Sequence, residues 1–505
     1  MSQSPIDAEP VRQRAGSLST YRAAPLRTLP AADRHLVRRF SWGLTPELAG
    51  DVIKAGGGRR WFEQQLAPGS VADPWGTAVD SWFPTVRASP ARINADARSG
   101  ARGSWEVAVD LSRRTICRRI HSRRQVHEVM VDLWSNLLHV PLFHTEAIFW
   151  RMDYDRVIRA HALTSFDALL KATITHPAMG LFLDNAASTK RRPNENLGRE
   201  LLELHTVGLE AGYTEDDVKA SARILTGYRV DLRAASFGAR YVEADHYVGP
   251  VRVMGFSHPN TSADGQAVTA DYLTYLAHHP QTARHLARRL CVKFVADNPS
   301  ESIISAVAAA YLRNKTAIKP TLRALIAHPD FNKAPSSKVR MPTEDYIASV
   351  RAVGVRLQKP TDKRSFANAL YWHSSQGGQP PYEWPAPNGY PETGSAWASA
   401  GRLVVSFDLH KDLGCRFWPL EGASFPSDGS TLPTMPCSLQ QLIDHLGLRL
   451  LGQKPGPEIS KAVAQLLGLR LTHRLTRDDV DTRRNYWLLR RIRTMLLDSP
   501  LHLNR

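Results

Sequence analysis

Residues Pro193 to Gly227 read PNENLGRELLELHTVGLEAGYTEDDVKASARILTG, and this stretch decides the fold class. On a helical wheel, Leu197, Leu201 and Leu204 share one side of a helix over Asn194–Val207. Glu195, Arg199, Glu203, Asn196 and Glu200 fall on the other side, within an arc of about 140°. Asn194 is a good N-cap, and Glu195 lies where the helix dipole favours an acid. A second helix, Thr214–Thr226, opens on a capping-box pattern with Asp217 in place of the usual Glu. Its buried stripe is Val218, Ala222 and Leu225. Two amphipathic helices joined through Gly208 and Gly212 call for helix-on-helix packing.

The same period recurs along the chain. It predicts helices over Asp33–Phe40, Pro46–Ala55, Trp105–Leu138, Ser165–Thr175, Thr282–Phe294, Glu301–Leu312, Thr343–Val353, Ala396–Leu409 and Asp479–Leu497, among others. Strand alternation is rare. ARYVEADHYVGPVRV, residues 239–253, could form a hairpin turning at Val248-Gly249-Pro250. The expected fold is mainly α: a large multi-helical globular protein with at most that one small β-hairpin. Residues 1–30 read as a disordered basic leader, 31–335 as a helical region, and 336–505 as a second helical region packed on the first. The segment HSSQGGQPPYEWPAPNGYPETGS, from His373 to Ser395, reads as a packed lid or a partner surface.

Composition excludes several classes. With 43% hydrophobic and 22% charged residues the chain is globular. Its four cysteines, Cys117, Cys291, Cys415 and Cys437, are far apart, so neither a disulfide scaffold nor a zinc ribbon is expected. No apolar run approaches the roughly 20 residues of a membrane span. The N-terminus lacks an apolar signal region, so a cytoplasmic location is expected. The net charge of +17 reads as a solvated, arginine-rich surface. Arg113, Arg114, Arg118, Arg119, Arg123 and Arg124 recur as pairs every five residues and so spiral round their helix. They form no single phosphate-binding face, and nucleic acid is not an expected partner. His127-Glu128 begins like HExxH, but position 131 is Val131.

The polar face therefore carries the chemistry. Asp184, Glu200 and Glu203 could hold a divalent cation through hard oxygen ligands. Alternatively Glu200 and Glu203 could divide the acid and base roles, with Arg199 clamping an anion. Asn194, Asn196, Asn185 and His161 are the candidate substrate contacts. The structural alternative is a salt-bridge network, because Glu195 and Glu203 flank Arg199 at four-residue spacing.

Leu183-Asp184-Asn185, Pro193–Asn196, Arg199–Leu204, Gly208 and Tyr213–Val218 together resemble the signature of the bacterial family called domain of unknown function 1800. His35–Gly43, Met130–Asn136, Arg159-Ala160-His161, Lys338–Glu344, Gly378-Gln379-Pro380, Trp384–Tyr390 and Ser499-Pro500 resemble its other blocks, over nearly the whole chain. Relatives often place histidines where this chain has Ser135 and Leu137, and His-Asp where it has His246-Tyr247. Many carry export signals, and none is visible here. The resemblance implies a large helical bacterial protein and no established reaction. Relatives are often encoded beside proteins similar to alkaline phosphatases or sulfatases, which implies a partner of that kind. Two readings follow: a hydrolase-like enzyme using the acid, amide and Arg cluster, or a non-catalytic helical scaffold whose Gly378–Trp397 loop meets the partner.

Overall fold

The computed structural model describes residues 26–234, 236–333, 338–362, 364–481 and 485–505. The chain is mainly α, as the periodicity requires. Most of the expected leader, residues 1–25, lies outside the described residues. Its last part is packed: Leu29 is buried and its carbonyl accepts from Arg34. Helix starts are fixed by side chains. Thr45, Ser165, Ser300, Ser399 and Ser438 each accept a hydrogen bond from the amide three residues on. Such caps satisfy donors that the first helical turn leaves open.

Two apolar cores hold the helices together. The larger draws on residues from Leu29 to Leu413, so apolar packing is continuous across residue 335. The smaller is built by Cys437 to Leu497 together with Ala352. No helix among the described residues is long and apolar enough to cross a membrane.

Three local expectations are corrected. Trp105–Leu138 is two helices, Ser104–His121 and Gln125–Leu137. The break is held by Asp73, whose carboxylate accepts from the Ser122 hydroxyl at 2.7 Å and the Arg123 amide at 2.9 Å. Residues 239–241 and 251–253 are indeed strands, but they do not pair with each other. Ala239–Tyr241 pairs with Tyr228–Val230, and Val251–Val253 pairs with Phe256–His258, both antiparallel. Two further two-stranded ribbons occur among the described residues, one joining residues 356–357 to 423–424 and one joining 437–438 to 474–475. The helix expected over Asp479–Leu497 begins only at Leu488, after a short turn of helix at Arg477–Val480.

The arginines of the Ser104–His121 helix are also unlike the expected solvated surface. Arg118 and Arg119 are buried. Arg118 pairs with Glu128 at 2.8 Å and Asp80 at 2.9 Å, and Arg119 with Asp132 at 2.6 Å. Arg159 binds Glu128 at 2.9 Å and Asp155 at 2.8 Å. The spiral that rules out one basic face lets the arginines reach acids on several neighbouring helices. A second charged cluster is buried around Lys293. The buried ammonium of Lys293 lies 3.1 Å from Asp132, 3.2 Å from Glu344 and 3.7 Å from Glu392. Arg505 adds a 3.1 Å contact to Glu344. Buried charges persist only when paired in this way.

Candidate functional site

The Asn194 segment begins as expected. The Asn194 carbonyl oxygen of the side chain accepts from the Asn196 amide at 2.9 Å, capping a helix over Glu195–Glu200. Beyond Glu200 the helix widens into a π-helical turn, Leu201–His205. Such turns are rare and frequent at functional sites. Gly198 sets the packing against the Glu215–Ile224 helix: a Cβ there would lie 2.9 Å from the amide nitrogen of Ala222.

The helix face divides into two parts. Arg199 turns away from Glu203 and makes a two-pronged contact with Glu215, at 2.7 and 2.6 Å, with Glu195 at 3.6 Å. It thus clasps the two helices together. Glu203 instead accepts from the Tyr213 hydroxyl at 3.0 Å. Burial, aided by that hydrogen bond, pushes the Tyr213 hydroxyl up to about 12, so it remains a donor at neutral pH. Glu200 is half-buried. Burial and the neighbouring Glu203 raise its pKa above the usual carboxylate range, against a smaller opposing pull from Arg199. The wide turn carries His205 inward, where its Nδ1 faces the Leu137 carbonyl at 3.0 Å. Burial lowers His205 to about 4.

The other predicted residues lie at different depths. Asp184 is exposed, in a left-handed conformation with φ 60°, and accepts from Asn196 at 3.4 Å. A non-glycine residue held there is strained, a condition that concentrates at functional sites. Asn185 is buried. Its amide nitrogen donates to the Leu225 carbonyl at 3.0 Å, and its side-chain oxygen has no protein partner. His161 is not brought to the cluster: its Nδ1 contacts the Val157 carbonyl within its own helix. Nor do Asp184, Glu200 and Glu203 converge as a metal trio. Among the described residues, the one group of three or more ligand-type side chains with ligand atoms within 4.8 Å is Asp345, His410 and His502. The three lie far apart in sequence with no local spacing, so no motif could have revealed them.

The remaining sequence blocks meet elsewhere. Asp132, Ser135, Asn136, Glu344, Gln379 and Tyr390 line a small, partly open cavity of about 30 Å³. The Asn136 side chain donates to the Tyr390 carbonyl at 2.8 Å and accepts from the Tyr390 amide at 2.7 Å. His139 contacts the Trp384 carbonyl at 2.6 Å. Tyr382 and Tyr390 are buried. The aromatic loop is therefore a packed strap, with Trp384 and Trp397 half-exposed.

No curated protein and no solved structure matches the chain significantly. A family model described as "Protein of unknown function (DUF1800)" matches residues 35–501, which takes in the Asn194 segment, the blocks around the cavity and the strap, and the chain belongs to that family.

Proposed function

We propose that the protein is a hydrolase-like acid–base enzyme, with Glu200 as general acid and Glu203 as general base. One observation carries the reading. Two carboxyls three residues apart sit at the mouth of a π-helical turn in unlike surroundings. Glu200 is pushed toward its protonated form, while Glu203 is held as an acceptor by Tyr213. Environments that separate two carboxyls in this way assign acid and base. Arg199 would meet an anionic substrate only by exchanging Glu215 for it.

A panel of chromogenic carboxylic, phosphate and sulfate esters tests it. Glu200→Gln and Glu203→Gln should each lower turnover by about 10²–10⁴-fold. Glu200→Gln should also leave melting temperature unchanged or raise it at pH 8. The sign follows from linkage. A carboxyl whose folded pKa is raised destabilises the fold once pH exceeds the unfolded value, and the glutamine lacks that penalty. The difference between variant and wild type should close toward pH 4. Full activity in both variants sinks the assignment.

The partner reading is favoured by a different observation. Trp418, Leu420 and Trp487 are 46%, 45% and 47% exposed, and Phe417, next to Trp418, sets its ring 6.2 Å from that of Trp487. A helical partner of an alkaline-phosphatase-like or sulfatase-like protein would use this surface, since the strap is packed. Capture of such a protein should fail in the double variant Trp418→Ser, Trp487→Ser. Undiminished capture removes this reading.

A further inference from the structure

We propose that Asp345, His410 and His502 bind one zinc-class divalent ion that fastens three helices together. This site is independent of the Glu200 and Glu203 assignment. The three residues come from the Pro342–Ala352, Ala400–Cys415 and Pro500–Leu503 helices. All three are buried. Oδ1 of Asp345 lies 3.2 Å from Nε2 of His410 and 3.4 Å from Nε2 of His502. A tetrahedral ion with bonds of about 2.0–2.1 Å to nitrogen and oxygen holds its ligands roughly 3.3 Å apart. The spacing thus suits a small borderline ion better than a large, many-oxygen ion such as Ca²⁺.

The surroundings also supply what bound ligands need. Nδ1 of His410 faces Oδ1 of Asp498 at 2.9 Å. A metal-bound imidazole commonly donates its far N–H to a carboxylate in this way, which fixes the tautomer that leaves Nε2 free for the ion. Oδ2 of Asp345 accepts from Arg402 at 3.1 Å, so Oδ1 is the oxygen left for coordination. The Ser349 hydroxyl is 2.8 Å from Nε2 of His502, in place for the fourth position directly or through a water. Two imidazole nitrogens directed at one carboxylate oxygen, with a hydroxyl beside them, form a donor set of N₂O₂ type. Zinc accepts such a set. The absence of solvent-exposed ligand atoms marks a closed, structural site.

The test uses the full chain purified without chelators or metal-affinity resin. Elemental analysis should find one zinc per chain. Removal with a strong chelator should lower melting temperature, and zinc should restore it. Cobalt(II) added to the metal-free protein should give the ligand-field band of a tetrahedral N/O site. His410→Gln and His502→Gln should lose the metal. Asp498→Asn keeps every ligand, and should weaken affinity by about 10–100-fold in competition with a fluorescent chelator. If the histidine variants fail to fold, the wild-type cobalt titration and the Asp498→Asn competition decide. A wild-type chain that takes up neither zinc nor cobalt overturns the proposal. So does metal retention in a folded histidine variant, or wild-type affinity in Asp498→Asn.

Discussion

Glu128→Ala is expected to cost about 3 kcal/mol of folding stability, read as a lowered midpoint in chemical denaturation. Glu128 is 1% exposed and holds Arg118 and Arg159 at once. Breaking a buried pair by removing one member typically costs about 3–5 kcal/mol, because the other charge is left without compensation. The lower end applies here. Arg118 keeps Asp80, and Arg159 keeps Asp155. The same network sets the acid limit of the fold. Arg159 and Arg118 hold Glu128 well below the usual carboxylate range, and Arg159 and Arg114 do the same for Asp155, against the opposing effect of burial in both cases. A carboxyl that titrates lower in the folded than the unfolded chain stabilises the fold above its unfolded pKa. That stability is lost as pH falls below about 4 toward the folded value. Glu128→Gln should therefore show a shallower loss of stability between neutral pH and acid than the wild type. An unfolding free energy within a few tenths of a kcal/mol of wild type would show that the pairs contribute nothing net.

Gly389→Ala is the second large effect, at about 2–4 kcal/mol. Gly389 has φ +66°, and an added Cβ would lie 2.1 Å from the carbonyl oxygen of Asn136. The left-handed conformation alone costs an alanine about 1 kcal/mol. The steric overlap adds about 1–3 kcal/mol, since the obstacle is backbone and cannot swing aside. Movement at Gly389 would also unseat the two hydrogen bonds between Asn136 and Tyr390. Gly378 is the internal control, with φ +78° and nothing within 4 Å of its notional Cβ. Gly378→Ala should cost only the conformational part, about 1 kcal/mol. Equal losses in the two variants would mean that contact with Asn136 does not matter.

Much of the fold was legible because apolar residues at helical spacing report burial locally. The capping serines and threonines, and the Thr214–Asp217 box, are local too, and the structure has them. Whatever depended on distant residues was not legible. The break at Ser122 needs Asp73, about fifty residues upstream. The strands at 239–241 and 251–253 are three residues long, too short for alternation to specify a partner. On the candidate face, four-residue spacing offered Arg199 two acids, Glu195 and Glu203. The preferred acid, Glu215, comes from the next helix, and the π turn that frees Glu203 leaves no mark in the residue pattern. The buried arginines were misread for the same reason, since their acids lie on other helices.

The burial of Lys293 among acids from distant parts of the chain has a consequence for how the protein is made. Lys293 leaves the ribosome roughly a hundred residues before Glu392, and well before Glu344. At about 5–20 residues per second, the wait is roughly 5–20 s. For about the first half of that interval the emerging chain offers the ammonium only Asp132 of its three acids, and Glu344 joins it about fifty residues after Lys293. The early helices can form, but burying the ammonium before its acids arrive would cost several kcal/mol of uncompensated desolvation. Final closure around Lys293 thus becomes a late event of translation.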